Sequence, residues 1–304
     1  MRIGSRTRTT TLCRLEGVVK TYGSRNVLDG MDLAVHGGEV VVLLGRNGAG
    51  KTTCIDIALG LRQADAGHAS LLGTSPRSTS VRRRVGAVAQ EADFPARLNP
   101  TEVLELVSAH YPRPLEVVSL LERFGLHDVA RRACGRLSGG QKRRLATACA
   151  VVGDPELAVL DEPGAALDVE GRQSLWDTVR LVADGDRGVL LTTHDMEEAE
   201  ELADRIVVIH HGAAVAQGSA RQLRQASLSR RVVLHPPPDG PLPELPEVPA
   251  GRVVSRTQDR IVVLTPDVDR IRQVAQDTGI SGRQIEVTTP SLRETFVELT
   301  GETS

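Results

Sequence analysis

Aromatic residues are nearly missing from this chain: three Phe, two Tyr and one Trp among 304 residues. Its core must therefore be packed with Leu, Val, Ile and Ala, and with 40% hydrophobic residues there are enough of them to bury one. Cysteine is equally sparse. Cys13, Cys54, Cys134 and Cys149 are widely scattered and form no C-x-x-C pair, which argues against a zinc site or a disulfide frame and for reduced thiols. A run of about 20 apolar residues, the length of a membrane-spanning helix, occurs nowhere. The basic leader 1–11 lacks the apolar centre of a signal peptide and is expected to be a disordered tail. Charge of one sign is missing too: 37 Lys and Arg against 39 Asp and Glu give a net charge of -2, no electrostatic reason for the whole surface to attract nucleic acid.

Against these absences stands one dense stretch, Gly45-Arg46-Asn47-Gly48-Ala49-Gly50-Lys51-Thr52-Thr53, set between an apolar run and a helical pattern. Its G-x-x-x-x-G-K-T spacing is that of a phosphate cradle. Glycines let backbone N–H groups approach the β- and γ-phosphates, Lys51 reaches the same oxygens, and the Thr52 hydroxyl can bind the Mg²⁺ that bridges them. A helix starting here points its positive end at the anion. Upstream, 12–20 and 31–35 alternate loosely around the turn-rich 22–26 and are expected to pair as strands. Tyr22 can stack on a purine or simply pack on the sheet, and its position alone leaves both open.

Three further apolar runs end in polar residues: 85–89 at Gln90, 157–160 at Asp161-Glu162, and 188–193 at His194. Unbroken runs of this length are strands buried on both faces, as in a parallel sheet flanked by helices, where ligands bind beyond the carboxyl ends of the strands. Adjacent carboxylates at a strand end point different ways, so Asp161 can hold the Mg²⁺ shell while Glu162 orients and polarises an attacking water. Gln90 can complete the metal shell or bind that water, and His194 can hydrogen-bond the γ-phosphate. The run Arg82-Arg83-Arg84 reads as a solvated face without a ligand.

Between Gln90 and Asp161 lies a mostly helical insert. Thr101 is the expected N-cap of a helix over 102–109, and 115–124 shows amphipathic spacing closed by Gly125. Leu137-Ser138-Gly139-Gly140-Gln141 then runs into the long helical pattern 142–152. Ser138 followed by two glycines at a helix start is a second anion-binding element. One chain thus carries two cradles, and only the first has a lysine.

Together, Tyr22, 45–52, Gln90, the LSGGQ stretch 137–141, 157–162 and His194 closely resemble the nucleotide-binding subunit of ATP-binding cassette (ABC) transporters, over roughly residues 12–231. LSGGQ is specific to that family in a way a phosphate loop alone is not. The resemblance implies an α/β P-loop NTPase cassette with a mainly parallel core sheet, an N-terminal antiparallel β subdomain and a helical subdomain over about 91–152, binding ATP and Mg²⁺. It implies that Gly45, Asn47, Gly48, Ala49, Gly50, Lys51, Thr52 and Thr53 hold the nucleotide, with Tyr22 stacked on adenine. Thr52, Gln90 and Asp161 would then serve the metal, Glu162 would be the general base and His194 the switch histidine. It also implies head-to-tail pairing with a second cassette, Ser138, Gly139, Gly140 and Gln141 of one chain closing over the ATP of the other. Such a subunit hydrolyses ATP in the cytoplasm, docked on a separate integral membrane permease at the inner face of the membrane; no nucleic-acid partner is expected.

The chain departs from the family in two places. Arg46 stands where proline is frequent, with a side chain that can point outward. In 163–169 the Leu167-Asp168 pair of the loop between the two ATP sites remains, but Ala165 removes a hydroxyl that often contacts the partner chain, which bears on cooperativity more than on hydrolysis. The Pro-rich 236–249 is a linker without regular structure. Beyond it, 251–255 and 260–264 read as a hairpin, 267–277 as a helix, 284–287 as a strand, and 292–299 as a helix capped by Ser291 with Glu294 at the capping-box position. These make a small C-terminal α+β appendage over 232–304. Its closing 290–301 is similar to the C-terminal motif of cassettes serving drug, antibiotic and polysaccharide exporters of the daunorubicin-resistance type. An exporter is therefore the expectation. An importer cassette shares all the chemistry and lacks only the appendage. A soluble ABC ATPase acting on ribosomes or DNA ranks lower, because the chain has one set of motifs and no sustained heptads.

Overall fold

A computed structural model describes residues 10–89, 93–165, 167–236 and 251–301. Most of the expected N-terminal tail, Gln90 and nearly all of the Pro-rich linker lie outside the described residues. The chain divides into two compact units between Ser219 and Ala220.

In the first unit, β1 (Thr11–Tyr22) and β2 (Arg25–His36) pair antiparallel with Tyr22 opposite Arg25, as their loose alternation predicts. β3 (Val40–Leu44) and α1 (Lys51–Ala58) follow, and then β4 (Ala66–Leu71), which completes an antiparallel sheet in the order β2-β1-β4. Its buried residues Leu15, Val18, Leu28 and Met31 pack with Cys54, Ile57 and Ala58 of α1, an aliphatic core that needs no aromatic ring. All four cysteines are free, and burial pushes the Cys13 thiol up to about 12.

After the short α2 (Thr79–Arg82), β5 (Val85–Val88) enters a second sheet, and the chain leaves it for α3 (Pro100–Ser108), α4 (Val117–Arg123) and α5 (Gly139–Val151). The N-cap of α3 is Asn99, not Thr101. Asn99 accepts from the Glu102 N–H at 3.0 Å while the Glu102 carboxylate accepts from the Asn99 N–H at 2.9 Å. Pro100 already has helical φ and no N–H to lose, so it takes the first helical position and moves the cap one residue upstream of itself. Thr101 instead donates its hydroxyl to Ala130 O.

The unit closes with β6 (Leu157–Asp161), α6 (Val169–Val182), β7 (Gly188–Thr193), α7 (Met196–Leu202), β8 (Arg205–His210) and β9 (Ala213–Gly218). The second sheet has the order β5-β6-β7-β3-β8-β9, parallel throughout except for the final β8–β9 hairpin. Every residue of β3, β6 and β7 is buried, which is why these strands read as unbroken apolar runs. Register sets Leu44 beside Thr193 and Asp161 beside Thr192, so these three strands end at one level. Burial of each Val or Leu side chain contributes about 1.5–3 kcal/mol, enough in sum to hold that edge rigid.

The second unit holds α8 (Ala220–Ala226), β10 (Arg230–Leu234), β11 (Arg252–Arg256), β12 (Ile261–Thr265), α9 (Val268–Asp277), β13 (Ile285–Thr288) and α10 (Leu292–Thr300). Its antiparallel sheet runs β11-β12-β10-β13, with Val232, Leu234, Ile261 and Val263 packed on Ile271 and Ala275 of α9. Strand β10 pairs with β12 and β13 on either side, and this pairing places the segment around residue 231 in the C-terminal unit. Ser291 and Glu294 form the expected capping box of α10, and Glu298 on the same helix accepts the Ser227 hydroxyl at 2.5 Å. Among the described residues no helix is long and apolar enough to cross a membrane.

Candidate active site

The loop between β3 and α1 leaves the sheet pinned to its neighbour, because the Gly45 N–H donates to Thr193 O at 3.2 Å. Gly50 ends the loop at φ 107°, and a Cβ there would stand 2.7 Å from Val27 O, so both backbone and space require glycine. No side chain caps α1. Its first-turn N–H groups thus face the loop at the positive end of the helix, the arrangement that suits an anion.

Lys51, the first residue of α1, is buried. Its Nζ donates to Gly45 O at 2.8 Å and Arg46 O at 3.2 Å and pairs with Glu162 Oε1 at 3.1 Å. An ammonium buried this deeply is tolerable only with such partners. Asp161 ends β6 at 1% exposure, and the Thr192 hydroxyl donates to its Oδ1. The same Thr192 oxygen accepts from the Glu162 N–H at 3.0 Å, and Thr192 O accepts from it at 3.1 Å. So held, Glu162 takes φ 49°, a left-handed conformation that costs a non-glycine residue energy. The turn brings its carboxylate to Lys51 and to His194, whose Nδ1 lies 3.3 Å from Oε1. Burial alone would raise the Glu162 carboxyl, but Lys51 and then His194 outweigh it and hold it below the usual carboxylate range. Glu162 is therefore ionised at neutral pH, and the stability it contributes is lost as pH falls through its lowered value.

Arg25 and Val27 of β2, Asn47 and Gly48 of the loop, Lys51 to Thr53 and Glu162 line an open cleft of about 290 Å³. Tyr22 is not among them. It ends β1 at 41% exposure, with the Arg62 guanidinium 5.5 Å and the Lys20 ammonium 5.7 Å from its ring centre. Ala49 accepts from the Gly212 N–H at 3.1 Å, which fastens the loop to the β8–β9 hairpin. Ser138 caps α5, accepting from the Gln141 N–H at 3.2 Å while the Gln141 side chain accepts from the Ser138 N–H at 3.0 Å. Ser138 and Gly139 are exposed, and neither they nor Gly140 and Gln141 line the cleft of their own chain. Thr52 and Asp161 offer the hard oxygen donors that suit Mg²⁺, an ion that takes one or two protein oxygens and fills its shell with phosphate and water.

Three contributors escape a reading of the sequence. Arg143 sits inside Lys142-Arg143-Arg144, which looks like a surface charge run, yet it is buried and donates to Ala89 O at 2.9 Å and to Asp161 O. Thr192, on the next strand, holds the Asp161 carboxylate and the Glu162 backbone N–H. Arg25 reaches Gly48 O at 3.5 Å. The one available signal was Arg143's place on a helix otherwise filled with buried Leu, Ala and Thr.

A glycine-lined cleft at the ends of parallel strands, with a buried lysine beside a strained, ionised carboxylate, takes a polyphosphate and can activate water against it; this is the site of a P-loop NTPase. The family follows from similarity. Residues 28–165 match the ABC transporter family. The chain is 35% identical over 306 residues to a daunorubicin resistance ATP-binding protein of Streptomyces coeruleorubidus, covering 96% of each chain. It is 35% identical over 296 residues to a Nod factor export ATP-binding protein of Rhizobium sp. (strain N33), covering 94% of this chain and 96% of that one. Among solved structures, an ATP-binding subunit of an ABC transporter superposes with a TM-score of 0.64 at 29% identity, over 71% of this chain and 92% of its own. A dimeric cassette bound to ADP and Pi, at 24% identity, shares the fold with a TM-score of 0.63. The chain belongs to the ATP-binding subunits of ABC transporters, and it is an ATPase.

Proposed function

We propose that this chain is the subunit that binds and hydrolyses ATP to power a separate membrane permease, exporting a drug, antibiotic or other amphipathic compound. What carries the reading is the extent of similarity. It runs through the cassette and on through the C-terminal unit, at 96% coverage of a daunorubicin resistance protein. On this reading the cassette ends at the junction between Ser219 and Ala220 and not at residue 231, the accessory domain begins at Ala220, and the protein works on the cytoplasmic face, held there by its permease.

Within the site, Lys51 and the loop 45–53 bind the phosphates, and Tyr22 contributes to the adenine side. Thr52 and Asp161, with Gln90, would hold Mg²⁺, which when bound would neutralise phosphate charge. Glu162 takes the proton of the attacking water, and His194, held against it, stabilises charge on the γ-phosphate. Asp161 itself is held by Thr192 and by Arg143, which grips its backbone carbonyl.

The second cradle belongs to a partner. Ser138 and Gly139 are exposed, away from their own cleft, with first-turn N–H groups at a positive helix end. In a head-to-tail dimer they close over the partner's ATP. A mixing experiment tests this. Ser138→Arg and Lys51→Ala are each expected to be inactive alone. Mixed, they should recover turnover, because a heterodimer of the two places both lesions in one site and leaves the other intact. ATPase assays in which the mixture stays as inactive as its parts would overturn the shared site.

A further inference from the structure

We propose that Glu198 is a positioning residue of the hydrolytic site, its buried carboxyl acting as a strut between the turn that carries Glu162 and the strand end that carries His194. Helix α7 begins two residues after His194. Asp195 is its N-cap, accepting from the Glu197 N–H at 2.9 Å and the Glu198 N–H at 3.4 Å. These bonds fix the first turn, and the Glu198 side chain, at 3% exposure, is directed into the protein.

It reaches two places. The first is Gly164, two residues beyond Glu162: a Cβ added there would stand 2.3 Å from Glu198 Oε1 and 3.0 Å from its Cδ. Gly164 has no left-handed φ, so the carboxyl's closeness, and not the backbone, is what demands glycine. The second is Thr193, close enough to oppose the rise of the Glu198 carboxyl; its hydroxyl accepts from the Asp195 N–H at 3.0 Å and its carbonyl accepts from the Gly45 N–H at 3.2 Å. One side chain thus bears on the turn of Glu162 and on the strand end from which His194 departs and to which the phosphate loop is pinned. Its Oε1 is buried without a hydrogen-bond partner among the described residues. A group of that kind is costly to keep, and a Leu would fill the volume at lower cost. Its value is geometric.

The charges facing it come from Asp195 on its own turn, Arg172 on α6, Arg143 on α5 and His194. Burial pushes the Glu198 carboxyl up to about 7, with Asp195 adding to the rise and Thr193, Arg172 and His194 opposing it. The neutral form suits an oxygen lying dry against Gly164; ionisation drives that oxygen toward water and loosens the strut.

The proposal rests on the roles assigned above to Glu162 and His194. Its test is steady-state ATP hydrolysis by the full chain, with ATP binding measured by calorimetry. Glu198→Ala should lower kcat about 10- to 100-fold, as a misplaced catalytic group does, while KM and ATP affinity hold within about twofold. Glu198→Gln, neutral and of the same shape, should restore most of the loss. The ratio of wild-type kcat to that of the Gln variant should fall as pH rises through about 7. Gly164→Ala should also lower kcat, and Glu198→Ala added to it should recover part of the loss by making room for the methyl.

Unchanged kcat in Glu198→Ala, a loss confined to KM, or a flat pH ratio overturns the strut. Where Glu198→Ala fails to fold, by thermal unfolding, Gly164→Ala and the pH ratio decide alone. Should Glu162→Gln also turn over normally, it is the hydrolytic reading that has failed; should Glu162→Gln be dead and the Glu198 variants normal, only the strut has.

Discussion

Lys51→Ala is expected to lose ATP affinity by about two to four orders of magnitude, the first of the two largest effects. The side chain is buried, and its ammonium is already turned toward the loop by Gly45 O and Arg46 O. Against phosphate it would make charge-assisted hydrogen bonds of about 1.5–3 kcal/mol each, and losing two of them gives a factor of about 10²–10⁴. The protein also changes without nucleotide. Both carbonyls lose their donor, and Glu162 loses the stronger of the two influences that hold its carboxyl low, so its value rises toward the one burial favours. Lys51→Arg is not expected to rescue, because a planar guanidinium does not fit where a compact ammonium sits between two carbonyls. Calorimetric titration with ATP checks the effect. Affinity equal to that of the wild type would remove the cradle from the site.

The cradle was legible because its chemistry restricts residue type. A loop that brings backbone amides to phosphate must have glycine where φ is left-handed or another backbone is close, and Gly50 meets both conditions. The parallel strands were legible for a different reason: burial on both faces of β3, β6 and β7 removes the polar alternation that marks a half-exposed strand. Contacts set by register leave no such mark in the sequence. Thr192 meets Asp161 only because β6 and β7 pair at that offset, and Arg143 meets the Asp161 carbonyl only because α5 packs there. In the C-terminal unit, the β11–β12 hairpin and α10 announce themselves by local alternation and a capping box. Strand β10 does not, since both of its partners, β12 and β13, lie beyond the Pro-rich stretch. Thr101 resembles a cap because it precedes an acidic residue, but the proline before it has already begun the helix.

Glu162→Gln should lower kcat by about 10²–10⁴, the range that removal of a general base gives, while ATP binding is kept. The amide retains the shape of the carboxylate and the turn that presents it. That turn depends on the backbone N–H of residue 162 and on Thr192, which the substitution does not touch. What is lost is the ionised oxygen that His194 and Lys51 hold below the usual carboxylate range. Binding should hold or tighten for a separate reason. On the proposed reading Glu162 and the phosphates would compete for one ammonium, 3.1 Å from the carboxylate, and a neutral amide would compete less well. Affinity and turnover therefore move apart, and in a head-to-tail pair an ATP that is bound but not hydrolysed should hold the two chains together. Size-exclusion chromatography with ATP is expected to give a dimer for Glu162→Gln and for no variant that lacks Lys51. The converse pattern, normal turnover with no stable dimer, would place the base elsewhere and leave the strained turn at Glu162 without its catalytic purpose.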